Sequence, residues 1–240
     1  MNAPPYAWHA SADEAAWVHD AAAALRGALE QALARAPRAL ILLSGGSTPA
    51  PVHHALATAD LDWSRIVVSL VDERDVEPGT DGSNARLAEG TLLRGRAAAA
   101  EFWPLRPAQA TLDAAVAAAN ARWHAASGTL ALAAVVLGMG EDAHTASLFP
   151  GSRDLAAALA TREPYAAIDA SGCAGAGRWP RRISLTPAGW AAAPLRMLLL
   201  RGDAKRAVFE RATEADALHA PVRAALDVPG VPLHVHWCAA

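Results

Sequence analysis

Residues 134–150 read Ala-Val-Val-Leu-Gly-Met-Gly-Glu-Asp-Ala-His-Thr-Ala-Ser-Leu-Phe-Pro, and their order decides the fold class. Residues 134–137 are a short apolar run, as expected of a strand buried on both faces of a parallel sheet. Gly138 and Gly140 then let the backbone turn sharply where a Cβ would clash. The turn delivers a carboxylate, Asp142, and an imidazole, His144. In open α/β sheets, ligands sit beyond the carboxyl ends of the strands. An acid/base group placed there is a candidate for catalysis.

The same alternation recurs outward from this stretch. Residues 39–43 are apolar and run into Ser44-Gly45-Gly46-Ser47-Thr48-Pro49, with a helix predicted from about residue 50. Residues 66–71 read as the next strand, ending in Asp72-Glu73-Arg74. A polar loop over 77–83 precedes a helix over 84–94. Pro104 and Pro107 bracket a turn, and 111–126 reads as a helix leading into strand 131–137. Residues 182–185, 197–200 and 233–237 read as further strands and 205–212 as a helix. At the start, residues 13–36 are rich in Ala, Leu, Glu and Arg. They predict a long helix that Ser11 or Asp13 caps and Pro37 stops. Strands alternating with helices predict an α/β fold: a mostly parallel, doubly wound, Rossmann-like sheet with helices on both faces. No repeat or linker divides the chain, so residues 1–240 read as one domain. The Gly-rich run over 171–177 reads as a mobile surface loop.

Composition narrows the function. In 240 residues, 53% are apolar and 19% charged, which supports a substantial core and argues against long disorder. A net charge of −3 supplies no basic surface for nucleic acid or an anionic membrane. A local cationic pocket for a small anionic substrate remains compatible with it. Cys173 and Cys238 have neither metal-type spacing nor a disulfide framework, which fits a reducing cytoplasm. Met1-Asn2-Ala3-Pro4-Pro5 lacks the basic and apolar regions of a signal peptide. The Ala-rich stretches are broken by charge, so none reads as membrane-spanning.

Further segments carry chemistry, most with a plainer alternative. The Gly45-Gly46 turn, with Ser44, Ser47 and Thr48, offers convergent N–H groups and hydroxyls ahead of a helix start. That suits a phosphate or a sugar, although an ordinary strand–helix turn has the same pattern. It is not a Walker loop, since no Gly-Lys-Ser/Thr follows. Asp72-Glu73-Arg74 forms surface ion pairs or lines a site, and Arg74 offers a planar fork for phosphate or carboxylate. Ser83-Asn84 is N-cap chemistry, or holds the preceding loop over a pocket. Arg182 opens one strand. Lys205 lies near a helix N-terminus, where a cation is mildly unfavourable unless an anion joins it. His234, His236 and Cys238 alternate and so share one face of a strand. With no fourth ligand evident, they are not taken as a metal site. His53 and His54 read as helix surface residues.

Taken together, residues 43–49, 71–74 with Ser83-Asn84, 137–150 and 182–187 resemble the 6-phosphogluconolactonase family, in the family's order and across almost the whole chain. Gly202 to Lys205 and Pro221-Val222-Arg223 also fit. The resemblance implies hydrolysis of 6-phospho-D-glucono-1,5-lactone to 6-phosphogluconate, without a cofactor. It also implies the fold shared by glucosamine-6-phosphate deaminases and ribose-5-phosphate isomerases. His144 is then expected to move the protons, with Asp142 and Asp72 orienting the imidazole or binding sugar hydroxyls. Arg74, Arg182 and Lys205 are expected at the phosphate, aided by Ser44, Asn84 and the backbone of Gly45, Gly46, Ser47 and Thr48. One departure stands out: the family's usual glycine before the histidine is Ala143 here, which is strained if that position needs φ > 0.

Two rival enzyme classes differ at particular residues. Deaminases of this fold carry a glutamate five residues after the histidine, where this chain has Phe149, a side chain that holds no proton. Residues 138–143 formally fit a G-x-G-x-x-A dinucleotide fingerprint. Pro150-Gly151 would truncate the helix that must follow it. A non-catalytic sugar-phosphate sensor would share the pocket, but an intact His144 gives it no support. The expected partner is the small-molecule substrate alone, with no nucleic acid and no membrane, and the chain is expected to be a monomer or weak homo-oligomer.

Overall fold

The computed structural model describes residues 5–239, so the leader reading of residues 1–4 falls outside the described residues. Ten strands alternate with helices. The strands are β1 (Tyr6–Ala10), β2 (Arg38–Leu43), β3 (Ile66–Leu70), β4 (Asp72–Arg74), β5 (Glu101–Phe102), β6 (Leu130–Leu137), β7 (Tyr165–Asp169), β8 (Arg181–Leu185), β9 (Leu195–Arg201) and β10 (Leu233–Cys238). The helices are α1 (Glu14–Leu33), α2 (Ala50–Ala57), α3 (Asn84–Thr91), α4 (Leu112–Ala126), α5 (Leu155–Ala160), α6 (Pro187–Trp190), α7 (Asp203–Ala212) and α8 (Arg223–Leu226).

Seven strands make an all-parallel sheet in the order β1-β10-β9-β6-β2-β3-β5. The apolar runs of β2, β3 and the carboxyl half of β6 are buried on both faces, as a sheet covered twice requires. Neighbouring residues on β10 show the two layers. Trp237 meets Arg206 of α7, whereas Trp17 of α1 donates its indole N–H to the His236 carbonyl and His234 borders the α1 side. The helical cover on both faces is therefore as the alternation predicts. From β2 the chain builds outward through β3 to β5, and from β6 it builds the other way through β9 to β10. The order in which strands are added reverses between β2 and β6. Their carboxyl ends, at Ser44 and Gly138, flank the crevice where this architecture binds ligands.

Several details differ from the sequence reading. Residues 72–74 are not a strand-end loop: they form β4, which pairs antiparallel with β8, and β8 with β7, in a small second sheet. Strand 182–185 thus belongs to that sheet. β1, β5, β7 and α5 went unread because each is short and lacks a clean period. Helix α1 starts at its Asp13 cap, which accepts from the Ala16 N–H, but stops at Leu33, before Pro37. Arg65 reaches the carbonyls of Leu33, Ala36 and Pro37 and satisfies that end. Helix α3 likewise ends at Thr91 rather than at 94.

The histidines also depart from expectation. His54 is exposed, but His53 is buried between α2 and α3, its Nδ1 3.4 Å from Thr91 Oγ1. His9 Nε2 lies 3.0 Å from His234 Nδ1, and its ring stacks on those of His234 and His236. Burial pulls both His53 and His236 down to about 4. His54 assists at the first, and His9 and His234 at the second, with Asp20 opposing. The unfolded chain therefore takes up protons below the ordinary histidine value while the native state does not. Stability is complete above about pH 6.5 and declines as pH falls towards about 4, at about 1.4 kcal/mol per pH unit for each histidine. Thermal melts between pH 7 and 4 should show this decline. His53→Gln should flatten part of it, and an unchanged slope would contradict the assignment.

Candidate active site

The turn after β6 is built around its glycines. A Cβ on Gly140 would fall 2.2 Å from His144 Nδ1, so only glycine lets the imidazole fold back over the turn. The Gly140 N–H donates to the His144 carbonyl at 3.0 Å, closing the loop. His144 Nδ1 lies 2.5 Å from Asp142 Oδ1, and the His144 backbone N–H donates to the same oxygen at 3.2 Å. An ionised carboxylate only accepts, so Nδ1 carries the proton and Nε2 is left as the basic nitrogen. Burial pushes the Asp142 carboxyl up. The hydrogen bonds and charge of His144 outweigh that and hold it below the usual carboxylate range. The ring of Phe149 packs 4.4 Å from the imidazole, centroid to centroid.

Ala143 has φ +62. The position where the chain lacks the family's glycine is thus left-handed, and alanine there costs about 1–2 kcal/mol. The Ala143 carbonyl accepts from the Val222 N–H at 3.1 Å, one of the contacts that hold the conformation. Ala143→Gly should raise the melting temperature by a few degrees, since about 1 kcal/mol moves a chain of this size by about 2–4 °C. A lower melting temperature in differential scanning calorimetry would show that the strain is not released.

One cleft at the crevice is lined by eleven of the twelve predicted residues: Ser44, Gly45, Gly46, Ser47, Thr48, Asp72, Arg74, Asn84, His144, Arg182 and Lys205. Asp142 stands behind, on the imidazole. No side chain caps the start of α2; Pro49 and Pro51 carry no N–H, so the donors offered to an anion are the N–H groups of residues 45–48 and Ala50. Gly45 is required there, because a Cβ would lie 1.9 Å from Asn84 Oδ1. Lys205 Nζ donates to the Met139 carbonyl at 2.7 Å, and burial pulls its ammonium down against the opposing charge of Glu141.

The small sheet supplies the other cations. Arg74 and Arg182 are direct partners across the β4–β8 ladder, an arrangement that like charges make unfavourable unless an anion joins them. Arg182 is 4% exposed. Its guanidinium lies 3.6 Å from Asp72 Oδ2 and donates to the Trp179 carbonyl at 2.5 Å and the Ala176 carbonyl at 2.9 Å. Burial pulls it down to about 10, with Asp72 opposing, so it stays charged at neutral pH. Asp72 also accepts from Ser147 Oγ at 2.6 Å and Asn84 Nδ2 at 3.1 Å. Its carboxylate is thus occupied in fixing Arg182 and the cleft wall, and it is Asp142 that orients the imidazole. Asn84, likewise, spends its amide on the Asp72 carbonyl and carboxylate.

Sequence reasoning missed three contributors. Glu73 is buried and accepts from the N–H groups of Arg74, Asn84 and Ala85 and from Ser83 Oγ, pinning the start of α3 under the cleft. Burial, opposed by those N–H groups, pushes its carboxyl up. Ser147 ties Asp72 to β8 through the Ser184 hydroxyl. The third is the Gly-rich run read as a loose surface loop. A Cβ on Gly175 would lie 2.4 Å from Asp142 Oδ2, and the Ala176 carbonyl holds Arg182. The loop is a wall of the site, and one of the glycines that suggested looseness, Gly175, permits close approach to Asp142 and His144. Among the described residues, no group of His, Cys, Asp and Glu is arranged to hold a metal ion.

Comparison with known proteins gives a consistent picture. A family model described as glucosamine-6-phosphate isomerases/6-phosphogluconolactonase matches residues 12–233. A 6-phosphogluconolactonase of Xylella fastidiosa (strain Temecula1) is 49% identical over 228 residues, covering 95% of this chain and 94% of its own. A solved 6-phosphogluconolactonase from Shewanella baltica superposes with a TM-score of 0.87 at 31% identity, covering 98% of each chain. A monomeric glucosamine-6-phosphate deaminase, covering 100% of this chain and 97% of its own, shares the fold with a TM-score of 0.75 at 14% identity.

Proposed function

The chain belongs to the family of glucosamine-6-phosphate isomerases and 6-phosphogluconolactonases, and from that premise we propose that it hydrolyses 6-phospho-D-glucono-1,5-lactone to 6-phospho-D-gluconate in the oxidative branch of the pentose phosphate pathway. One observation carries the choice of the lactonase over the deaminase. The Asp142–His144 pair shares a cleft with opposed arginines, and the imidazole's further neighbour is the apolar ring of Phe149. A lactone carbonyl needs one base and no second proton carrier. Ring opening of an amino sugar needs a relay that Phe149 cannot supply.

In the proposed mechanism, the 6-phosphate meets Arg74, Arg182 and Lys205 together with the N–H groups at the start of α2, while Ser44, Ser47 and Thr48 offer hydroxyls. His144 Nε2 takes a proton from water as the oxygen attacks the carbonyl carbon, and Asp142 stabilises the imidazolium that forms. When the tetrahedral intermediate collapses, the C1–O bond to the ring oxygen breaks and the imidazolium returns its proton to that oxygen. Asp72 keeps Arg182 in place throughout. The two free thiols, Cys173 and Cys238, agree with a cytoplasmic setting.

Lactone generated in situ should be consumed with release of one proton per turnover, far above the spontaneous opening measured without enzyme. Glucosamine 6-phosphate should yield no ammonia. A lactone rate equal to the no-enzyme control would overturn the reading.

A further inference from the structure

We propose that Trp179 is a positioning residue that holds Arg74 and Arg182 in their binding geometry, an inference that rests on the assignment of those arginines to the substrate phosphate. Trp179 lies in the segment between the wall loop and β8, and it reaches both cations by different means. Its indole lies under the Arg74 guanidinium, 5.5 Å from ring centroid to Cζ, and the neighbouring Arg178 guanidinium lies over the same ring at 4.1 Å. Its backbone carbonyl accepts from Arg182 Nε at 2.5 Å. The indole also packs on the backbone of Gly82, where a Cβ would fall 2.5 Å from Cζ2. The Gly82 carbonyl in turn accepts from Arg74 at 2.5 Å. Arg74 therefore sits between an aromatic face and a carbonyl that the same ring holds in place. Its Nε is buried without a partner, so the hydrogen bond to the Gly82 carbonyl and the ring are what define its orientation.

The physical need is plain. Arg74 and Arg182 repel across the ladder, and Asp72 approaches only Arg182. Without an opposing contact, a long and partly exposed arginine relieves that repulsion by swinging outward, and the empty site loses its preorganised pair. A flat indole under the guanidinium attracts the cation without neutralising it. A carboxylate in the same place would compete with the substrate's phosphate. Trp179 thus keeps two like charges together while leaving both available to a dianion. The ring also joins the polar loop before α3 to the wall loop against Asp142 and His144.

The test is a double-mutant cycle read by calorimetric binding of 6-phosphogluconate and of inorganic phosphate, with kinetics alongside. Trp179→Ala should weaken binding of both by about tenfold and lower kcat/KM correspondingly. In an Arg74→Ala background the same change should cost less than about twofold, because the group it positions is gone. Trp179→Phe keeps an aromatic face and should stay within about threefold of the parent. An equal loss in the Arg74→Ala background, unchanged binding in Trp179→Ala, or a Phe variant as weak as the Ala variant would each overturn the proposal. Phosphate binding reads the arginines directly. Failure of lactone turnover in the parent protein would sink the lactonase reading alone, and failure of the cycle would sink only the role of Trp179.

Discussion

His144→Ala should lower kcat by about 10²–10⁴-fold while leaving KM within about threefold, since positioned acid–base catalysis contributes that range. The imidazole is the group able to take a proton from water and return it to the ring oxygen, and Asp142 has already fixed its tautomer. Its side chain is only 22% exposed but borders the cleft, so truncation leaves a space that water fills without collapse of the core. Asp142→Asn should show a smaller loss of the same kind, because an amide can present N–H to Nδ1 and favour the wrong tautomer. Steady-state kinetics with lactone, corrected for spontaneous opening, provide the check. A change confined to KM would move proton transfer to another group.

Arg182→Ala should damage both binding and stability. The guanidinium supplies charge for the phosphate and is also the cation beside the buried Asp72. Its loss leaves an unpaired carboxylate and frees the carbonyls of Ala176 and Trp179. Breaking a buried pair from one side typically costs about 3–5 kcal/mol, so the urea midpoint should fall and the melting temperature should drop by about 6–20 °C. KM should rise by about two orders of magnitude, consistent with the loss of a charge-assisted hydrogen-bonded contact. Arg182→Lys should rescue neither property, because an ammonium cannot reach two carbonyls and a phosphate in one plane. A variant with parental stability would show that Asp72 is held adequately by Ser147 and Asn84 alone.

The parallel core was legible because both-face burial makes β2, β3 and β6 apolar without interruption, and the glycine turns mark where they end. The second sheet was not. β4 is three charged residues, Asp72-Glu73-Arg74, whose extended conformation comes from pairing with a segment more than a hundred positions away. Charge at a strand end looks the same whether it meets solvent or another strand. The cleft residues were legible because phosphate and proton chemistry need distinctive side chains near glycine turns. Gly175 was not, since its contribution is the absence of a Cβ beside Asp142. Composition alone reads that as looseness. Glu73 was seen as one charge among three, yet it is the buried anchor of α3, and the signal available was the Ser83-Asn84 cap that it serves. His53 was misplaced because a histidine pair on a short helix gives no sign of which member faces α3.

The central claim is that an imidazole from the β6 turn and cations from β4, β8 and α7 act on one substrate in one cleft. A crystal structure with 6-phosphogluconate bound tests it most directly. The account predicts the C1 carboxylate beside His144 Nε2 and the phosphate among Arg74, Arg182, Lys205 and the N–H groups of residues 45–48. A product molecule seated with its carboxylate away from His144, or with its phosphate touching none of those cations, would contradict it.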